Sequence, residues 1–230
     1  MADVTKPSWV TLSKFLAPWA AIVVFYAPFP TIRSIERDRS VGTLPLLPYS
    51  SMIVSSFLWL AYGVLIHEPT VWRTNTCGLF MSLYYFMRFV KHSPPKSPTL
   101  PGSVQQHSNA VLCIVFGTLA IIYALPFQDP ASLIGKIAVI FCVAMFASPL
   151  SALQTVIQTK SAKSIPLPFT IATIINCLLW SIVGLFDIKD FNIYFPNLLG
   201  LACGMAQLGL KLYYGGGGSQ KGASEMDLVI

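Results

Sequence analysis

The chain has 230 residues, 54% of them hydrophobic and only 10% charged, with a mean hydropathy of +0.65 and a net charge of +6. That much apolar surface cannot be covered in water, so the composition excludes a soluble globule and places the chain in lipid. The basic residues are dispersed between apolar stretches and form no basic domain, which leaves nucleic acid without a face to bind.

Apolar runs of the length needed to cross a bilayer predict seven spans, all helical because an unpaired strand edge cannot face lipid. After an N-terminal segment, 1–14, the first span runs from Phe15 to Ile32, the second from Leu46 to Ile66 and the third from Thr74 to Phe89, making a three-helix unit over 15–91. The first run is read as retained rather than cleaved: no small-residue cleavage pattern follows it, and it leads into Pro28, Pro30 and a charged loop. The third has Arg73 and Arg88 at its ends, where long side chains reach the interfaces; an amphipathic surface helix is its alternative. A Pro-rich loop, 92–109, leads to a fourth span, Ala110 to Phe127. A second unit, 131–214, contains spans from Leu133 to Ile157, Ile165 to Phe186 and Ile193 to Tyr214, before a glycine-rich tail, 215–230.

Counting Lys and Arg, ten lie on the side of the 1–2, 3–4 and 5–6 loops and the C-terminus, and five on the other. The positive-inside rule therefore expects the N-terminus outside and the C-terminus in the cytosol, with the plasma membrane as the expected location.

Five cysteines lie in apolar segments without CxxC pairs, and His67, His92 and His107 sit in the segments read as connections. No HExxH, GxSxG or phosphate-binding glycine loop occurs, so neither an enzyme nor a metal or cofactor is expected.

The chain repeats itself at a spacing near 121 residues. Ala27-Pro28, Arg39-Ser40, Pro48, Trp59, Gly63, Asn75 and Gly78 return as Ser148-Pro149, Lys160-Ser161, Pro166, Trp180, Gly184, Asn197 and Gly200. Two halves with three crossings each point the same way only if one further crossing separates them, and the fourth span, polar only at Thr118, meets that need. The fold expected is all-α: seven membrane helices as two parallel three-helix repeats joined by a linker helix, 3+1+3.

The repeat also nominates a site. Asn75 and Asn197 occupy equivalent places inside membrane helices, where an amide is costly unless its hydrogen-bonding groups are used. Ligand contact is the functional reading; an interhelical hydrogen bond is the bland one. Trp59 and Trp180 lie well inside their apolar runs, and Ser55 and Asn176 precede them by four residues, on the same helical faces. Flat rings to stack on C–H faces and amides to bond hydroxyls suit a neutral polyhydroxylated solute, although packing accounts equally for the Trp-linked pair. No ionisable group sits at mid-span, which argues for uncoupled, downhill movement. Pro28, Pro48, Pro149 and Pro166 stand near helix ends on one side, where each removes an N–H and lets the helix bend; starting or stopping a helix is the alternative.

Several segments are similar to the SWEET sugar facilitators: Tyr26-Ala27-Pro28-Phe29-Pro30-Thr31, Arg39-Ser40, Pro48-Tyr49, Leu58-Trp59, Tyr62-Gly63, Ala147-Ser148-Pro149-Leu150, Thr159-Lys160-Ser161, Pro196-Asn197 and Gln207-Leu208. The resemblance covers about Phe15 to Tyr214, and parallel repeats about an axis along the membrane normal are the arrangement known for SWEETs. It implies bidirectional, uncoupled transport of mono- or disaccharides by alternating access. By the same resemblance Asn75 and Asn197 bind sugar hydroxyls, Trp59 and Trp180 stack on the ring, and the four prolines form a cytosolic tetrad. Pro45 competes with Pro48 for that tetrad because it matches Pro166 at strict repeat spacing. Tyr62 and Asp190 are implied to pair at the extracellular gate, with one residue more between Trp180 and Asn197 than the family pattern has. The partners expected are a small neutral sugar and the bilayer, with homo-oligomerisation left open. Rivals are a related PQ-loop carrier of amino acids or other solutes, and a seven-helix receptor that transports nothing.

Overall fold

A computed structural model of the chain describes residues 6–94 and 102–215, and every regular element among them is helical. The first helix pair is α1 (Ser8–Tyr26) and α2 (Phe29–Asp38), followed by α3 (Leu47–Leu65) and α4 (Pro69–Lys91). Then come α5 (Val104–Tyr123), the pair α6 (Pro130–Met145) and α7 (Ala147–Thr159), α8 (Leu167–Ile182), and α9 (Phe191–Gly215). A π-helical turn, Val183–Ile188, extends α8.

These elements form seven helical rods. Six are long and apolar enough to cross a membrane: Ser8–Asp38, Leu47–Leu65, Val104–Tyr123, Pro130–Thr159, Leu167–Ile188 and Phe191–Gly215. The seventh, α4, is the rod with Arg73 and Arg88; its 23 residues are long enough to span at 1.5 Å per residue, and it packs along α3. Large apolar side chains such as Phe80, Phe116 and Ile140 stand exposed, an arrangement only lipid tolerates.

The chain divides into two compact units, Lys14–Phe141, and Met1–Ser13 with Cys142–Ile230. In the first, Ile32 and Ile35 of α2 are buried with Val41, Leu46, Tyr49 of α3, and Tyr85 and Phe89 of α4. A second cluster joins Val54 and Leu58 of α3 to Ala138 of α6, with Val111 and Ile114 of α5 packed against it. The start of α6 thus belongs to this unit, although its sequence belongs to the second repeat. In the second unit, Val156, Ala162 and Ile165 are buried beneath Leu210 and Tyr214 of α9. Val156 and Ala162 are the repeat counterparts of Ile35 and Val41. The N-terminal residues join this unit: Trp9 meets Phe186 edge-on at 5.0 Å, and Lys6 pairs with Asp187.

The first and fifth predicted spans are each broken, and the reason is proline. At Ala27-Pro28 the missing Pro28 N–H leaves Val24 O to accept from Ala27 N instead, and α2 restarts with Pro28 as its N-cap. Phe25 O, beside the break, accepts from Tyr85 OH at 3.1 Å. The second break falls at Phe146, three residues before Pro149, where α7 begins anew.

Helix ends repeat as well. Among the described residues four non-glycines have left-handed backbone, and they form two repeat pairs: Arg39 (φ 50°) with Lys160 (φ 53°), and His67 (φ 55°) with Lys189 (φ 57°). Each closes a helix. Such a position usually favours glycine, but a basic side chain there faces the negative end of the helix dipole and offsets part of the strain.

One sequence expectation is corrected here. The segment 92–109 was read as loop and His107 as part of it, yet α5 begins at Val104 and contains His107. Ser103 and Gln106 explain this: Ser103 Oγ accepts from Gln106 N while Gln106 Oε1 accepts from Ser103 N, a capping box. His107 is buried with its Nδ1 at 2.8 Å from Ser50 Oγ, joining α5 to α3. Residues 95–101 and 216–230, which hold part of the Pro-rich loop and nearly all of the tail, lie outside the described residues.

Candidate functional site

Each half positions its candidate residues in the same way. In the first unit Gly63 lets α3 approach the start of α4 so closely that a Cβ there would stand 2.7 Å from Trp72 N. In the second, a Cβ on Gly184 would stand 2.8 Å from Tyr194 N, the repeat-equivalent atom. Below these contacts Gly78 faces Phe25 and Ser56, and Gly200 faces Phe146 and Cys177, again counterpart against counterpart. The asparagine three residues before each lower glycine is therefore set by backbone close packing rather than by its own side-chain bonds.

Asn75 Nδ2 donates to Val71 O at 2.9 Å, and Asn197 Nδ2 donates to Ile193 O at 2.7 Å. Both side chains are half-buried. Each bond satisfies one amide hydrogen locally and fixes the carboxamide plane, leaving an acceptor oxygen and a second hydrogen for another group.

Trp180 of α8 is buried, 7% exposed. Trp59 of α3 is half-buried, packed against the cluster of Val54, Leu58 and Ala138, with Tyr62 edge-on at 5.9 Å. Ser55 and Asn176, one turn earlier, are also half-buried, and Asn176 Oδ1 is fully shielded with no hydrogen-bond partner. Within the first unit the structure brings Trp59 onto Tyr62; it records no direct bond between either asparagine and the tryptophan of its own half.

The remaining predicted residues sit at helix boundaries. Pro28 caps α2, Pro48 lies in the first turn of α3, Pro149 in the first turn of α7, and Pro166 caps α8. Asp190 accepts from Asn192 N at 2.8 Å at the start of α9. Its counterpart Glu68, which the sequence reading did not single out, accepts from Thr70 N at 3.2 Å and pairs with Lys14 at 3.0 Å.

The one residue by which the repeats differ is located. Glu68 N donates to Gly63 O at 2.9 Å, and Asp190 N to Gly184 O at 3.0 Å; the same closure encloses one residue more in the second half. The π-helical turn Val183–Ile188 takes up that residue, so Asp190 and Asn197 keep the positions of Glu68 and Asn75. Among the described residues no cluster of His, Cys, Asp or Glu could hold a metal ion.

Comparison with known proteins bears on the family and the fold. The profile of a family described as "Sugar efflux transporter for intercellular exchange" matches twice, over residues 11–97 and 132–216, in step with the repeat. The chain is 30% identical to the sugar transporter SWEET1 of Dictyostelium discoideum, over 93% of this chain and 97% of that one. It is 31% identical to the sugar transporter SWEET1 of Rattus norvegicus, over 83% and 85%, and 30% identical to the bidirectional sugar transporter SWEET9 of Arabidopsis thaliana, over 84% and 74%. A solved eukaryotic SWEET transporter superposes with a TM-score of 0.78 at 26% identity, covering 90% of this chain and 99% of that one.

Proposed function

The chain belongs to the SWEET family of sugar transporters, and from that premise we propose that it carries mono- or disaccharides in both directions across a membrane, downhill and without a coupling ion. The family transports rather than catalyses, and the protein is integral to the membrane.

The observation that carries the reading is the matched pair of amides. Asn75 and Asn197 are held by the same bond to the carbonyl four residues back, at repeat-equivalent places in α4 and α9. Two neutral donor–acceptor groups, placed by duplication and each with hydrogen-bonding capacity left, suit sugar hydroxyls. Trp59 and Trp180 offer flat faces for its C–H surfaces, with Ser55 and Asn176 as further polar contacts. Alternating access would use the helix breaks at Pro28 and Pro149 and the helix starts at Pro48 and Pro166, with Tyr62 and Asp190 at the outer gate. The excess of Lys and Arg on the side of the C-terminus supports an outside N-terminus in the plasma membrane.

Purified protein in liposomes tests this. Uptake of labelled glucose or sucrose that stops at equal concentrations inside and out, and ignores an imposed proton gradient, is the expected result. Accumulation that requires the gradient overturns the uncoupled mechanism, and absence of sugar uptake overturns the substrate class.

A further inference from the structure

We propose that Thr173 is an additional sugar-contacting residue which, with Asn176, forms a polar strip on α8 that reads one substrate hydroxyl; the inference rests on the sugar-transport reading above.

Thr173, Asn176 and Trp180 fall at i, i+3 and i+7, so they share one stripe of α8. Threonine in an apolar helix ordinarily returns its hydroxyl to the carbonyl four residues back. Thr74, Thr76, Thr155, Thr159 and Thr170 all do so here, at 2.6 to 3.2 Å. Thr173 does not. Its Oγ1 is shielded and without a partner, and one turn along the same stripe Asn176 Oδ1 is shielded and without a partner too.

A buried hydroxyl or amide oxygen left unpaired is unfavourable, and two on one stripe beside a buried indole indicate a missing third party. Ser181 Oγ, also unpaired, lies off the stripe beside the π turn. In the first half the equivalent positions are Met52 and Ser55, and neither buries an unpaired oxygen or nitrogen. Among the described residues the stripe on α8 carries two unpaired buried oxygens and its counterpart on α3 carries none, which gives the duplicated protein an asymmetric reading edge.

The chemistry matches a polyol. Asn176 Oδ1 only accepts, while Thr173 Oγ1 both donates and accepts, so a hydroxyl that donates to Asn176 Oδ1 and accepts from Thr173 Oγ1–H satisfies both. An anion would have no donor at Asn176 Oδ1.

The test uses the full chain in liposomes, with labelled glucose and competition by glucose analogues each lacking one hydroxyl. Thr173→Val keeps the shape and removes the oxygen, whereas Thr173→Ser retains it. The expected result is a roughly 10-fold rise in KM for Thr173→Val, together with loss of discrimination against one particular deoxy analogue that the wild type and Thr173→Ser reject. An unchanged KM and an unchanged analogue ranking in Thr173→Val overturn the proposal. So does an equal loss on every analogue with a lowered melting temperature, which marks a packing role. If the wild type carries no sugar, the transport reading itself fails and this inference falls with it.

Discussion

Gly63 and Gly184 hold the same contact in the two halves: each lies against the backbone N–H of a residue in the next helix, Trp72 and Tyr194, with no room for a methyl group. Duplication has preserved an atomic approach as well as a pattern of residue types.

Alanine at either position must push two helices apart. Gly63→Ala and Gly184→Ala are each expected to destabilise by about 1–3 kcal/mol, the range for overpacking a tight contact. Gly117→Ala and Gly209→Ala, where a Cβ would meet nothing within 4 Å, are expected to be neutral or to stabilise by up to about 1 kcal/mol. Thermal unfolding in detergent of the four variants checks the contrast.

Removing one amide from the duplicated pair should weaken sugar recognition without unfolding the bundle, because the hydrogen bond each amide donates is to its own helix. Asn75→Ala and Asn197→Ala are each expected to lower kcat/KM by roughly 5- to 150-fold, the equivalent of about 1–3 kcal/mol for an unmatched hydrogen bond. Uptake kinetics beside a melting curve separate this from misfolding; wild-type rates in both variants would leave the amides without a transport role.

The breaks at Pro28 and Phe146 suggest where the moving helices flex. Pro28→Ala restores an N–H for Val24 O, and is expected to slow exchange about 10-fold while changing the sugar affinity less than about 3-fold. Equilibrium exchange rates set against binding isotherms decide it, since a proportional loss of both indicates damage to the fold.

The buried Ser50–His107 contact fixes α5 to α3. Ser50 Oγ also lies 3.0 Å from Leu47 O; with its hydrogen directed there, it accepts from the imidazole Nδ1–H. Ser50→Ala removes this bond and is expected to destabilise by about 0.5–1.5 kcal/mol, with a smaller effect of the same substitution in a His107→Leu background. Chemical or thermal unfolding of the single and double variants measures the coupling.

Much of the fold was legible because membrane helices announce themselves by length and duplication announces itself by spacing. Trp59 with Trp180, and Asn75 with Asn197, could be paired without coordinates. The start of α5 was less visible: four prolines suggested a loop up to Asn109, and that reading missed the Ser103–Gln106 capping box. The extra residue before Asn197 showed in the spacing, but not that a widened helical turn would take it up while leaving Asp190 in the place of Glu68. Thr173 was illegible, since a threonine in an apolar helix normally satisfies itself, and only the hydroxyl's actual orientation shows that this one does not.

The widened turn at Val183–Ile188 makes the two copies mechanically unequal. The π turn encloses one residue more than the end of α3 it corresponds to, and Lys6 and Trp9 of the N-terminal segment contact it at Asp187 and Phe186. Trimming the N-terminal segment through Trp9 removes both contacts and is expected to speed amide exchange across Val183–Ile188 relative to the end of α3.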